Sequence, residues 1–163
     1  MRTTLASLIA LLGSLFFLPA GCGGGATVTA CPGGPDCACS DDKTCSCAEN
    51  GGCGFDCLTD GCKLTCGAGA TCEGSCGKDC KMSCPEGSSC TIDLGVDGDM
   101  TCKDADCDIT ASDEADITCD GGSCKVTCEG ACDVSCIGDA VCEIKCAGDS
   151  EFKKIETAGK CEG

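Results

Sequence analysis

From Cys53 onward, small or apolar residues alternate with charged or hydroxylated ones in bursts of five, and the bursts recur every eight to ten residues. Each unit reads C-x-h-x-C, where h is apolar, and ends in a turn containing Gly or Asp. The successive units are CGFDC at Cys53, CKLTC at Cys62, CEGSC at Cys72, CKMSC at Cys80, CTIDL at Cys90 and GDMTC at Gly98. They continue as CDITA at Cys107, ADITC at Ala115, CKVTC at Cys124, CDVSC at Cys132 and CEIKC at Cys142. Alternation with period two predicts short strands with one buried face. The middle positions Leu64, Met82, Ile92, Met100, Ile109, Ile117, Val126, Val134 and Ile144 lean toward strand formers, and the intervening Gly-Ala, Gly-Asp and Gly-Gly pairs are turn chemistry. A helix with cysteines at i and i+4 is the rival reading; the Thr, Ser, Gly and β-branched residues speak against it.

Two units together occupy 17 to 20 residues. Strand, turn, opposing strand and turn make one coil, so the fold class expected over residues 31–163 is all-β, a narrow disulfide-stapled parallel β-solenoid with two short strands per coil. Shorter C-x-C versions at Cys37 and Cys45 precede the regular units, and the segment around Phe152 reads as a degenerate terminal repeat.

The cysteine losses indicate which cysteines pair. Two units have lost the fifth-position cysteine, at Leu94 and Ala111, and in each case the next unit has lost its first, at Gly98 and Ala115. The last cysteine of one strand is therefore expected to bond the first of the next, across the turn. The two cysteines within one strand are four residues apart, roughly 13 Å, too far to bridge. The rule pairs Cys57 with Cys62, Cys66 with Cys72, Cys76 with Cys80, Cys84 with Cys90, Cys102 with Cys107, Cys119 with Cys124, Cys128 with Cys132, and Cys136 with Cys142. Extended to the ends it adds Cys31 with Cys37, Cys39 with Cys45, Cys47 with Cys53, and Cys146 with Cys161. Each short loop contributes about 2 kcal/mol in the chain-entropy account.

Composition explains why bridges are needed. The 142 residues after the first 21 contain 16 Leu, Ile, Val and Phe and neither Trp nor Tyr, too few for an ordinary apolar core. The chain holds 25 cysteines, an odd number. Its start accounts for the odd one. Residues 1–21 carry one charge, Arg2, then an apolar run from Leu5 to Leu18, the layout of a secretory signal peptide. Leu18-Pro19-Ala20-Gly21-Cys22 resembles the lipobox of bacterial lipoproteins, although Pro19 stands where an aliphatic residue is usual. The resemblance implies cleavage before Cys22, a diacylglyceryl group on its sulfur, and a Gly/Ala-rich tether over residues 22–30. It also implies a place in the cell envelope, with the membrane as partner through the lipid and with self or another envelope component as a further one. Export places the other 24 cysteines in an oxidising compartment.

Removing the leader leaves a formal charge of −17, which disfavours nucleic acid as a partner. The chain lacks His, a nucleophile motif and the C-x-x-C spacing of zinc, iron–sulfur and thiol-oxidoreductase sites, so no enzyme, catalytic residue, metal site or cofactor is expected. The function expected is a structural, adhesive or protective envelope lipoprotein. The alternative is a secreted metal-binding protein, for thiolate-bound metal as in metallothioneins or for calcium. Residues 93–120 hold ten carboxylates and one lysine, with turns similar to those of calcium-binding β-rolls but without their G-G-x-G-x-D repeat. Thr65, Thr101, Thr110, Thr118 and Thr127 resemble the threonine ladders of beetle antifreeze proteins; the Asp, Glu or Lys usual at the other outward position breaks the likeness.

Overall fold

A computed structural model of the chain describes residues 29–30, 37–39 and 43–163. Residues 1–28, 31–36 and 40–42 lie outside the described residues, so the lipid attachment at Cys22 and the expected Cys31–Cys37 bridge do as well. Every element among the described residues is a strand. The unit CKVTC shows why: Lys125 and Thr127 face water while Cys124, Val126 and Cys128 are buried on the other side of the pleat.

The strands wind into a solenoid with two faces. One face stacks β4 (Gly52–Cys57), β6 (Thr71–Cys76), β8 (Ser89–Leu94), the second half of β9 (Asp99–Ala111), the second half of β10 (Ala115–Cys128) and β12 (Val141–Lys145), all parallel. The other stacks β3 (Thr44–Cys47), β5 (Lys63–Thr65), β7 (Lys81–Cys84), the first halves of β9 and β10, and β11 (Cys132–Ile137). Strands β9 and β10 run through a corner without a break and serve both faces. Register partners such as Cys53 with Cys72, Cys90 with Cys107 and Cys124 with Cys142 set coils of 17 to 19 residues.

Most corners contain a residue in the left-handed region, where a side chain other than Asn, Asp or Gly is unusual; the corner after Cys119 has two, Gly121 and Gly122, and the one after Cys128 has none. At one edge these residues are Gly61, Asp79, Asp97 and Glu114; at the other, Asn50, Gly69, Gly87, Asp104, Gly121, Gly122 and Gly138. The amides of Asn50, Gly61, Gly69, Asp79, Gly87 and Asp97 bond to the next coil, as in Asp79 N to Val96 O at 3.0 Å and Gly69 N to Glu86 O at 3.1 Å, so these corners continue the ladder of the faces.

The interior is three columns wide. Sulfur columns line both edges, and between them lie Phe55, Ile92, Ile109, Val126 and Ile144 from one face and Leu64, Met82, Met100, Ile117 and Val134 from the other. Gly74 stands opposite Phe55 in register, and a Cβ there would strike the Phe55 backbone, including its nitrogen at 2.9 Å. The C-x-C segment at Cys45 joins this plan half a unit out of phase. Cys45 stands beside Leu64, in the apolar column, and Cys47 bonds Cys53 in the sulfur column.

The ends depart from the expected repeat. Around Phe152 the chain does not begin another parallel coil. Strands β13 (Lys153–Ile155) and β14 (Ala158–Cys161) pair antiparallel with β12 and β11, and the partly buried Ile155 packs against the core. At the opposite end β1 (Thr29–Ala30) and β2 (Cys37–Cys39) pair antiparallel with β4 and β3. Thr29 and Ala30, assigned by sequence to the tether, are thus in the sheet. Antiparallel strands cover both terminal edges of the parallel stack, which otherwise would template pairing with another chain.

Candidate functional site

Ten bridges are described, with Cα–Cα separations from 5.4 to 6.7 Å, within the span a disulfide needs. One edge carries an unbroken column of six: Cys47–Cys53, Cys66–Cys72, Cys84–Cys90, Cys102–Cys107, Cys119–Cys124 and Cys136–Cys142. The opposite edge carries Cys57–Cys62, Cys76–Cys80, Cys128–Cys132 and Cys146–Cys161. Both substituted corners, Leu94 with Gly98 and Ala111 with Ala115, sit in consecutive coils of this second column. Leu94 is 1% exposed and fills the space of the missing sulfurs, because a Cβ at Gly98 would lie 2.6 Å from Leu94 Cγ. The column is thus continuous in volume, with aliphatic atoms replacing sulfur in its middle.

Stacking brings sulfurs of neighbouring bridges together. Cys66, Cys72 and Cys90 have their Sγ atoms within 4.8 Å of one another, as do Cys84, Cys102 and Cys107, then Cys102, Cys119 and Cys124, and finally Cys128, Cys132 and Cys161. Each group has the count and closeness of a thiolate metal site, yet every member is already bonded to another sulfur. A disulfide sulfur lacks the thiolate charge a metal requires.

Outward side chains also stack in columns. On the β5–β7 face the second outward position is occupied by Ser46, Thr65, Ser83, Thr101, Thr118 and Ser135, six successive hydroxyls aligned by register. The threonines alone were prominent in the sequence; the serines complete the ladder only once register is known. Beside it run Lys63, Lys81, Asp99, Asp116 and Asp133, and the two columns border a shallow open trough. Hydroxyls at about 4.8 Å intervals offer donors and acceptors to an extended polar surface. Thr110 and Thr127 stand on the opposite face, where the aligned positions are Asp56, Ser75 and Asp93, so no such ladder forms there.

The charges are organised between coils. Lys81 pairs with Asp99 at 2.5 Å, Lys78 with Asp97 at 3.1 Å, and Lys160 with Asp133 at 3.1 Å. The hydrogen bond to each aspartate raises Lys81 and Lys78 above the ordinary lysine value. Asp149 lies below the usual carboxylate value, held there first by its hydrogen bond from Lys153. Glu114 shifts the other way: hydrogen bonding to Asp97, then the charges of Asp97 and Asp113, raise it. All are at the surface, where ion pairs contribute little each. Near the cap Lys125 Nζ lies 4.6 Å from the centre of the Phe152 ring, the geometry of a cation–π contact.

Comparison with family models, with curated proteins and with solved structures finds no match to this chain.

Proposed function

We propose that this protein is a non-enzymatic lipoprotein of the cell envelope with a structural or adhesive role, a stiff acidic rod tethered through a lipid on Cys22. The observation that carries the reading is the union of disulfide-closed corners with the hydroxyl ladder Ser46 to Ser135. A surface of short polar side chains is held at constant spacing, so binding an extended partner costs little ordering entropy. Eight strands on one face, from β1 to β13, give a stack of about 34 Å, seven intervals of strand spacing. The test uses the full chain expressed in a lipoprotein-processing bacterium. Wild-type protein is expected in the membrane fraction with a diacyl-modified Cys22 at its terminus, and Cys22→Ser in the soluble exported fraction. Membrane association unchanged by Cys22→Ser overturns the anchor. Substituting Thr65, Thr101 and Thr118 together by Lys is expected to abolish retention on isolated envelopes; unchanged retention overturns the adhesive face.

The calcium alternative is favoured by one corner, where Glu114 is raised first by its hydrogen bond with Asp97 and then by the charges of Asp97 and Asp113. Lys78, bonded to Asp97, already offsets part of that charge. A calcium-dependent rise in melting temperature, absent in Glu114→Gln, would favour the alternative.

A further inference from the structure

The ten described bridges differ in access. In nine of them both cysteines are buried, whereas Cys146 is half-buried and its partner Cys161 is only 1% exposed. Cys146–Cys161 also closes the longest loop, with a sequence separation of 15 against 4 to 6 for the others. It is the bridge that fastens the antiparallel cap. Behind it, Cys161 Sγ lies within 4.8 Å of the sulfurs of both Cys128 and Cys132. Cys161 is moreover the direct register partner of Cys132 across β11 and β14. Facing residues of an antiparallel pair have Cα atoms about 4.5–5.5 Å apart, the span of a disulfide.

We propose that Cys146 is a thiol-acceptor site: a low-molecular-mass thiol attaches there as a mixed disulfide, while Cys161 transfers to Cys132 and leaves the thiol on Cys128. In the first step the incoming thiolate attacks Cys146 Sγ, the Cys146–Cys161 bond breaks, and its electron pair departs on Cys161. In the second, the Cys161 thiolate attacks Cys132 Sγ. A Cys132–Cys161 bond forms, the Cys128–Cys132 bond breaks, and Cys128 takes the electron pair and a proton. Two protein disulfides become one protein disulfide and one mixed disulfide, so the proton of the incoming thiol ends on Cys128 and no oxidant or reductant is consumed.

The direction of attack follows from access. A thiolate from solvent reaches Cys146 and not the buried Cys161, so Cys161 is the leaving sulfur. Burial then keeps that sulfur from solvent and beside its next acceptor. The other close sulfur groups, such as Cys66, Cys72 and Cys90, consist wholly of buried cysteines, so an external thiol has no entry to them. After exchange β14 remains bonded to β11, and the cap stays closed while the molecule carries an adduct.

The experiment treats the full oxidised chain with reduced glutathione, quenches with acid, alkylates with iodoacetamide, and maps disulfides by proteolysis and mass spectrometry under acid conditions. The expected product carries one glutathione on Cys146, one alkyl group on Cys128 and a peptide joined through Cys132–Cys161. The native Cys128–Cys132 peptide is lost in step with glutathione gain. An alkyl group on Cys161 with Cys128–Cys132 intact overturns the transfer, and a first adduct on another cysteine overturns the site. In Cys146→Ser the unpaired thiol is expected on Cys128; finding it on Cys161 refutes the exchange. If that variant does not accumulate, the wild-type map alone decides.

Discussion

Adding one methyl group at Gly98 tests how a corner without sulfur is filled. The new Cβ of Gly98→Ala would stand 2.6 Å from Leu94 Cγ, 2.7 Å from Leu94 Cδ1 and 2.9 Å from Gly95 O. The clash is chiefly with a side chain that is 1% exposed and walled in by neighbouring coils. Overpacking of this kind costs about 1–3 kcal/mol. Leu94→Ala alone removes three buried carbons and leaves a cavity beside Gly98, costing about 2–5 kcal/mol. The double variant reproduces the pair that the next coil uses, Ala111 with Ala115, both buried. Its cost is therefore expected to fall below the sum of the single costs by about 1–2 kcal/mol, within the coupling range of touching residues. Guanidinium unfolding of the oxidised proteins, followed by far-ultraviolet circular dichroism, measures all four corners of the cycle. Additivity within about 0.5 kcal/mol would refute the claim that Leu94 and Gly98 fill the corner as a unit.

Three further outcomes are expected. Gly74→Ala should destabilise strongly, since Gly74 has φ 148° and its added Cβ meets the Phe55 backbone; Phe55→Ala should not rescue it, and partial rescue in a melting assay would show that the side chain was the obstacle. Replacing Cys119 and Cys124 together by Ala opens a bridge with a sequence separation of 5, and denaturant titration should show a loss of about 2 kcal/mol. Glu114→Gln removes a carboxylate whose folded pKa is raised by Asp97 and Asp113. A raised folded pKa means this group opposes folding while ionised and ceases to do so as pH falls through that value. The variant should therefore melt higher than wild type at about pH 7, and the difference should vanish toward about pH 4; a constant difference would contradict the linkage.

The period, the strands and the pairing rule were all readable along the chain because they are short-range. A bridge over a corner joins cysteines only 4 to 6 positions apart, and most of the turns carry Gly, Asp or Asn in the left-handed region, a local preference of those residues. The substituted pairs Leu94 with Gly98 and Ala111 with Ala115 disclosed that rule because each loss removed both ends of one local contact. Stacking is another matter, since it joins residues 17 to 19 positions apart and depends on register between coils. Only the folded chain decided that both substituted corners lie on one edge, that Ser46, Ser83 and Ser135 complete the threonine ladder, and that Cys45 stands in the apolar column. The ends were hidden for the same reason. Nothing in the alternation of Phe152 to Ile155 distinguishes a strand that starts a new coil from one that turns back. The difference lies in long-range pairing, with Ile155 set antiparallel against Cys142 and Cys161 against Cys132. The reversal sets Cys161 opposite Cys132 as well as Cys146, a neighbourhood that belongs to the tertiary structure alone.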